Sequence, residues 1–170
     1  MTISLRGAGP ADLSAIGALH HRSRLAAYRD IVPADALAAV SADMLGRWWV
    51  ERWPYERHSH VLTVAERAGR LAGFSYVGPD EDGGVGVGEL YAIHLEPDQQ
   101  GTGVGRTLMI EALATLRRQG WRRAVLWVLA DNAHARSFYE RGGWTSDGAE
   151  RTDMIGPAAV RLVRYSRALS

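Results

Sequence analysis

Apolar positions change their period several times along the chain, and each change marks an element. Residues Ile3 to Arg6 alternate and predict a short first strand, after which Gly9-Pro10 interrupts. Leu13, Ile16 and Leu19 then recur at the spacing of one helix face. Pro33 opens a second short helix to about Val40. Ser41 is placed to cap a third, in which Met44, Leu45, Trp48 and Trp49 share a face until Pro54. Val61 to Glu66 and Leu71 to Val77 are rich in β-branched and aromatic residues; with Arg67-Ala68-Gly69-Arg70 between them they predict an antiparallel hairpin. A loop from Gly78 to Gly88 leads to a strand from Glu89 to Leu95. Val104 to Gln119 is a helix whose stripe is Val104, Leu108, Ala112 and Leu116, and Gly120 stops it. Ala124 to Leu129 is nearly all apolar, as in a strand buried on both faces and paired parallel to the strand before that helix. Residues 89–129 therefore read as a βαβ unit. Ala133 to Arg141 is a short helix ended by Gly142-Gly143, and Val160 to Tyr165 is the last strand, reached through a polar segment. With no repeat, linker or low-complexity tract, the expectation is one domain over residues 1–170.

Composition narrows the chemistry. A chain of 170 residues with 46% hydrophobic content can build a sizeable core without staples. The formal net charge of +1 gives no broad pull toward nucleic acid or an anionic membrane, although the pI of about 8.2 leaves room for a local basic patch. All 20 basic residues are arginine and none is lysine, which excludes a P-loop NTPase and Schiff-base chemistry. Cysteine is absent too, so disulfides, thiolate metal sites and an acyl-cysteine intermediate are excluded. The histidines His20, His21, His58, His60, His94 and His134 form no H-x-x-x-H or H-E-x-x-H pair, and no metal is expected. Met1 to Leu13 lacks a basic stretch followed by a long apolar one, and no apolar run reaches membrane-spanning length; a soluble cytoplasmic protein is the expectation.

The strongest local signal is Gln100-Gly101-Thr102-Gly103-Val104-Gly105-Arg106, between the end of a strand and the start of a helix. Glycines let backbone approach a ligand, and unpaired amides at a helix start point at whatever sits there, so a diphosphate fits. An ordinary glycine-rich turn is the competing reading. The Rossmann pattern G-x-G-x-x-G fails because Arg106 stands at its last glycine position, and Asp131 lies beyond the distance expected of a ribose-binding acid.

A second motif agrees with the first in order and spacing. Gln100-x-x-Gly103-x-Gly105 resembles the pyrophosphate loop of the GCN5-related N-acetyltransferase (GNAT) family. Asn132, Ala135, Phe138, Tyr139, Gly142, Gly143 and Trp144 resemble that family's later N-x-x-A-x-x-F-Y-x-x-x-G-F/W signature. The match extends over roughly Val61 to Trp144. It implies an α/β acyl-CoA N-acyltransferase fold: a mixed, mostly antiparallel sheet with one splayed parallel pair, flanked by helices. It also implies acetyl-CoA as cosubstrate, with the main chain of Ile93, His94 and Leu95 on the pantetheine arm, Gly101, Thr102, Gly103, Val104, Gly105 and Arg106 together with Gln100 on the pyrophosphate, and Asn132 orienting the cofactor or capping its helix. Tyr139 corresponds to the tyrosine that protonates the departing thiolate in many members. Glu89, eleven residues before Gln100, resembles the strand glutamate that serves as base in the histone-acetylating branch. By strand alternation it shares a face with Tyr91, Ile93 and Leu95, surroundings that raise a carboxyl pKa. The chain departs from the ribosomal-protein branch, whose base position is here Trp127.

Trp48, Trp49, Trp53 and Tyr55 form an aromatic cluster open to two readings, core packing or a wall of the acceptor pocket, and His20-His21 lies where family members often build that pocket. The expected activity is acetyl transfer from acetyl-CoA to a primary amine, on a small molecule or a protein N-terminus, by direct attack in a ternary complex. A non-catalytic acyl-CoA-binding module is the alternative. Neither a nucleic-acid nor a membrane partner is expected, and a homodimer is left open.

Overall fold

The computed structural model describes residues 2–169. Its elements run β1 (Ile3–Gly7), α1 (Leu13–Tyr28), α2 (Ala34–Ala38), α3 (Ala42–Glu56), β2 (Val61–Arg67), β3 (Arg70–Pro79), β4 (Val87–Leu95), α4 (Val104–Arg118), β5 (Arg123–Leu129), α5 (Ala133–Arg141), β6 (Thr145–Ile155) and β7 (Ala158–Ala168). The strands form one seven-stranded sheet in the order β1-β2-β3-β4-β5-β7-β6. All neighbours are antiparallel except β4 and β5, whose parallel pairing encloses α4 as the crossover. The expected α/β fold with a single parallel pair is thus the observed one. No helix among the described residues is long and apolar enough to cross a membrane.

Two apolar layers cover the sheet. On one face the α4 stripe, including Leu108, Ala112 and Leu116, is buried, and Met109 and Leu113 pack with Leu90, Leu126, Val128, Trp144 and Tyr165. On the other, Leu13, Ile16 and Leu19 of α1 and Trp49 of α3 pack on Leu62, Val64, Phe74 and Tyr76. Each such side chain contributes about 1.5–3 kcal/mol when fully buried. The two helices of this second layer meet backbone to backbone: a Cβ on Gly17 would stand 2.4 Å from Gly46 Cα. Only glycine permits that crossing, and it brings α3, with Trp48 and Arg52, close over the sheet.

Three departures from the sequence expectations bear on the site. First, β4 carries a bulge: Val77 pairs with Leu90 and Tyr76 with Ala92, leaving Tyr91 as the extra residue. The extra residue resets the alternation, so that Leu90 and Ile93, three apart, both pack on the α4 side, where Leu95 also lies. Tyr91 and Ala92 pack with the α1 and α3 layer instead. Glu89 and Tyr91 therefore do not share a face with Ile93 and Leu95, as plain alternation required. Second, the polar segment before the last strand is itself β6, and β7 extends from Ala158 to Ala168. It is an edge strand in which half-buried and exposed residues alternate, so it lacks the apolar run that marks a central strand. Third, α3 continues past Pro54 to Glu56, because a proline in the last turn removes little of the helix ladder. Of its expected core face, Leu45 and Trp49 are buried whereas Met44 and Trp48 are exposed.

The parallel pair separates soon after it forms. Val87, Gly88 and Glu89 pair with Arg123, Ala124 and Val125, and beyond Glu89 the strands have no ladder between them. From Leu90 onward the β5-facing edge of β4 lacks a strand partner, and such backbone groups need another acceptor or donor.

Candidate active site

A cavity of about 840 Å³ occupies this splay and passes from the α4 and α5 side to the α1, α3 and β6 side. That is large enough for an extended ligand arm together with a second small molecule. At the first end, Gly101 (φ +75°) and Gly103 (φ +94°) take left-handed backbone, which glycine adopts without strain. Gly103 is the N-cap of α4, so the following amides of Val104, Gly105 and Arg106 open the helix unpaired. Thr102 Oγ1 donates to the Gln99 carbonyl at 2.6 Å, and the Thr107 hydroxyl and amide donate to Gly103 O, fixing the loop. A Cβ at Gly105 would lie 3.4 Å from Leu95 and 3.5 Å from the Phe138 ring, ordinary van der Waals contact. Gln100 lines the cavity, its Oε1 3.4 Å from His134 Nε2.

Among the predicted cofactor residues, Ile93, His94, Leu95, Gln100, Gly105 and Asn132 line this cavity. The Val104 side chain is fully buried in the core, which leaves only its main chain to face a ligand, whereas Arg106 is exposed. Asn132 caps α5, its Oδ1 accepting from Ala135 N at 3.2 Å, while also lining the cavity. His94 turns its ring to α1: Nδ1 is 2.9 Å from Ser23 Oγ, and the His20 ring lies 4.4 Å away. Burial first, then the Arg24 charge, pushes the His94 pKa down to about 4 and keeps it neutral.

Glu89 is buried, 3% exposed, at the point where the parallel ladder ends. Its Oε1 accepts the Glu81 main-chain N–H at 2.9 Å. Burial raises its pKa to about 7, and interaction with Asp80 and Glu81 adds to the rise, while the Glu81 amide works against it. A carboxyl poised near neutrality exchanges a proton readily at working pH. Tyr139 lines the same cavity from α5, and its phenol makes no protein hydrogen bond among the described residues. Burial raises its pKa, so it stays protonated and available as a donor.

The opposite end is built by side chains from distant segments. Trp48 and Arg52 of α3 stack, the guanidinium 4.6 Å from the indole centroid. Arg52 also binds Glu56 at 2.5 Å, and Glu56 accepts from the Tyr76 hydroxyl at 2.7 Å. Tyr91, freed by the bulge, donates its hydroxyl to Pro79 O. From the far side come Trp127 and Arg151, stacked at 4.4 Å, and from α1 come Arg24 and Tyr28. The aromatic cluster divides accordingly: Trp49 is buried in the core with an edge on the cavity, Trp48 is an exposed cavity wall, and Tyr55 is 89% exposed. His20 accepts from the Trp49 indole at 3.2 Å and faces the cavity. Arg24, Tyr28, Arg52 and Arg151 carried no motif, and Arg151 lies in the strand that the polar pattern concealed.

The acetyltransferase (GNAT) family model matches residues 25–144, which include the splay, the glycine loop and α5. The chain belongs to the GNAT acetyltransferase family. Among curated proteins, it is 46% identical over 67 residues to the mycothiol acetyltransferase of Geodermatophilus obscurus, covering 39% of this chain and 22% of that protein. To the mycothiol acetyltransferase of Cellulomonas flavigena it is 37% identical over 125 residues, 69% of this chain and 34% of the relative. The chain thus spans between a fifth and about a third of the length of these relatives. Among solved structures, the PaiA N-acetyltransferase of Thermoplasma acidophilum in complex with coenzyme A superposes with a TM-score of 0.76 at 19% identity, over 99% of both chains. YncA of Salmonella typhimurium, solved with its cofactor acetyl-CoA, gives 0.73 at 23% identity over 100% of this chain and 95% of its own. At these identities the likeness is one of fold.

Proposed function

We propose that this GNAT chain transfers the acetyl group of acetyl-CoA to a primary amine, with Glu89 accepting the amine proton and Tyr139 donating a proton to the departing thiolate. The observation that carries the reading is the buried Glu89 carboxyl, its pKa near 7, in one cavity with the unpartnered Tyr139 phenol. The residues present fit the cosubstrate. Main-chain groups of Ile93, His94 and Leu95 have no β5 partner and suit the amides of a pantetheine arm, and the glycine-shaped start of α4, with Gln100 and Asn132 beside it, suits a diphosphate. Acetyl-CoA, when bound, supplies a thioester carbon open to attack by an amine.

The chain's own part is proton handling and orientation. An ammonium is not a nucleophile, so Glu89 in its ionised form takes the proton, directly or through one water. Glu89 is ionised only above pH about 7, so activity rises as pH rises through that value. Tyr139 delivers a proton as the carbon–sulfur bond breaks; a phenol with a raised pKa gives it up only as negative charge develops on sulfur. With no cysteine in the chain, both substrates are bound together and the amine attacks directly. The test is a panel of primary amines incubated with the chain and acetyl-CoA, read by mass spectrometry of the products and by initial velocities. Acetylated amine with intersecting double-reciprocal lines is expected. Acetyl-CoA binding without turnover of any amine would leave a CoA-binding module.

A further inference from the structure

The arginines that line the cavity differ in what holds them. Arg52 is bound by Glu56, Arg151 lies 3.7 Å from Glu81 and 3.3 Å from Asp153, and Arg29 is exposed to solvent. Arg24 is the exception. It is half-buried, yet among the described residues it makes no salt bridge and donates no hydrogen bond; its one close partner is the Tyr28 ring, 5.9 Å from the guanidinium carbon. Arg22, two positions earlier on the same helix, is tied to Glu96. Burial without an acid weighs on the Arg24 charge and lowers its pKa. The side-chain nitrogens that are fully buried and unpartnered belong to His60, Trp127, Trp144, Arg151 and Arg167; those of Arg24 are not among them, so its N–H groups keep accessible surface in the cavity they line. A partly desolvated cation with five unused donors and no counter-charge costs stability, and such a cost at a cavity wall points to an anion that a ligand brings.

The course of α1 fixes where that anion sits. Ser23 Oγ is 2.9 Å from His94 Nδ1 on β4, and Tyr28 packs with Leu129 of β5 and Ile155 of β6, so the helix bridges the two strands where they have separated, and Arg24 stands on the bridge. Glu89 stands at the other end of the opened edge. In the register with β3, Glu89 faces Gly78 and His94 faces Phe74, four residues away, which puts the two main-chain positions roughly 13 Å apart. An α-amino acid, whose amine and carboxylate share one carbon, is too short to reach both ends. The cosubstrate does not use this cation in the reading above, where its diphosphate goes to the start of α4 and the pantetheine arm along β4 is uncharged. We infer that Arg24 holds the carboxylate of the acceptor, an amine whose acid group stands several bonds away, as in a linear ω-amino acid. This rests on the amine-transfer reading and names its substrate class. The planar fork of one guanidinium matches a carboxylate bidentately and balances its single charge, whereas a phosphate monoester carries nearly two.

The test compares acids with alkylamines of equal carbon number: glycine with ethylamine, δ-aminovalerate with pentylamine and ε-aminocaproate with hexylamine, each with acetyl-CoA, and δ-aminobutylphosphonate as the phosphate arm. In the two longer pairs the acid is expected to have the higher kcat/KM by roughly tenfold to a hundredfold, the range of a charge-assisted hydrogen bond, with no advantage in the glycine pair. Arg24→Gln is expected to collapse the long-pair ratio through KM of the acid while the acetyl-CoA Kd from calorimetry stays unchanged, and Arg24→Lys to restore part of the ratio. Arg24→Met removes the cation and strands no acid, so its melting temperature is expected to equal or exceed that of the parent chain, the reverse of a structural arginine. Equal rates within the long pairs, a glycine advantage as large as theirs, a ratio unmoved in Arg24→Gln, a weakened acetyl-CoA Kd in that variant or a marked fall in the Arg24→Met melting temperature would overturn the inference while leaving amine transfer standing. A phosphonate that outperforms both long acids would overturn the carboxylate assignment. Failure of every amine, with acetyl-CoA still bound, would overturn the transfer reading and this inference with it.

Discussion

The two ends of the cavity are made by different means. The end proposed for the cofactor, from β4 through α5, is continuous in sequence and offers main chain: glycines at positive φ, free amides at the start of α4 and an unpaired strand edge. The opposite end is assembled from α1, α3, the β3–β4 loop, β5 and β6, and presents side chains such as Trp48, Arg52, Glu81, Trp127 and Arg151. Main-chain recognition constrains a few positions to glycine and leaves the rest to pack the core, as the buried Val104 side chain does. Side-chain recognition changes with a single substitution. A fold so arranged keeps one cosubstrate and exchanges the other, because the two surfaces are mutationally separate.

Substitutions at Glu89, where the two ends meet, have the largest expected effect. Glu89→Gln is expected to lower kcat/KM by roughly 10²-fold or more and to remove the acidic limb near pH 7. The same variant should alter stability with a defined sign. The folded carboxyl holds its proton up to about pH 7 while the unfolded chain releases it near 4.5, so native stability falls as pH rises through that window. Glu89→Gln should flatten this fall, on the order of 3 kcal/mol, in denaturation curves compared at pH 5 and pH 8. Retention of the full acidic limb in the variant would return Glu89 to a structural carboxyl.

Next in size is Gly103→Glu. Its carboxylate is set against the start of α4 proposed to hold the diphosphate, at a backbone angle that only glycine adopts freely, so acetyl-CoA affinity should fall by roughly tenfold or more in calorimetry, with circular dichroism confirming the fold. Tyr139→Phe is expected to reduce kcat by about tenfold while acetyl-CoA affinity changes little, the signature of an interaction made only in the transition state. Smallest is Trp48→Ala. It should raise the acceptor KM several-fold through loss of the wall and of the Arg52 stack, with the KM for acetyl-CoA unmoved. A Trp48 effect on acetyl-CoA, or a Gly103 effect on the amine alone, would erase the division between the ends.

How far each end was legible follows from the same division. The glycine loop, the asparagine cap and the stripe of α4 are local patterns, so their spacing carried them, and the parallel pairing of β4 with β5 followed from the near-continuous apolar run at Ala124 to Leu129. Glu89 was picked out for the correct burial but with the wrong neighbours. The bulge at Tyr91 depends on pairing with β3, and no periodicity within β4 announces it. β6 was unreadable for a related reason: its Ser, Asp, Glu, Arg and Thr residues are those of a loop, and only pairing with β7 makes them a strand. Arg151 went with it. Trp48 and Trp49 are adjacent on one helix and both border the cavity, yet Trp49 is buried in the core and Trp48 is exposed, a difference that depends on how α3 packs on α1 at Gly17 and Gly46.

The cations facing the cavity among the described residues, Arg24, Arg29, Arg52 and Arg151, are all guanidinium groups, and the chain holds no lysine anywhere. A guanidinium stays protonated across the working range and has no lone pair free to attack a thioester, whereas a lysine ammonium lowered in pKa by burial does. Any lysine in these wall positions would stand beside an activated acyl donor and an ionised carboxylate, and would itself be modified. Walls of arginine carry the positive charge without offering a competing nucleophile, so no side-chain amine of the protein can intercept the acyl group.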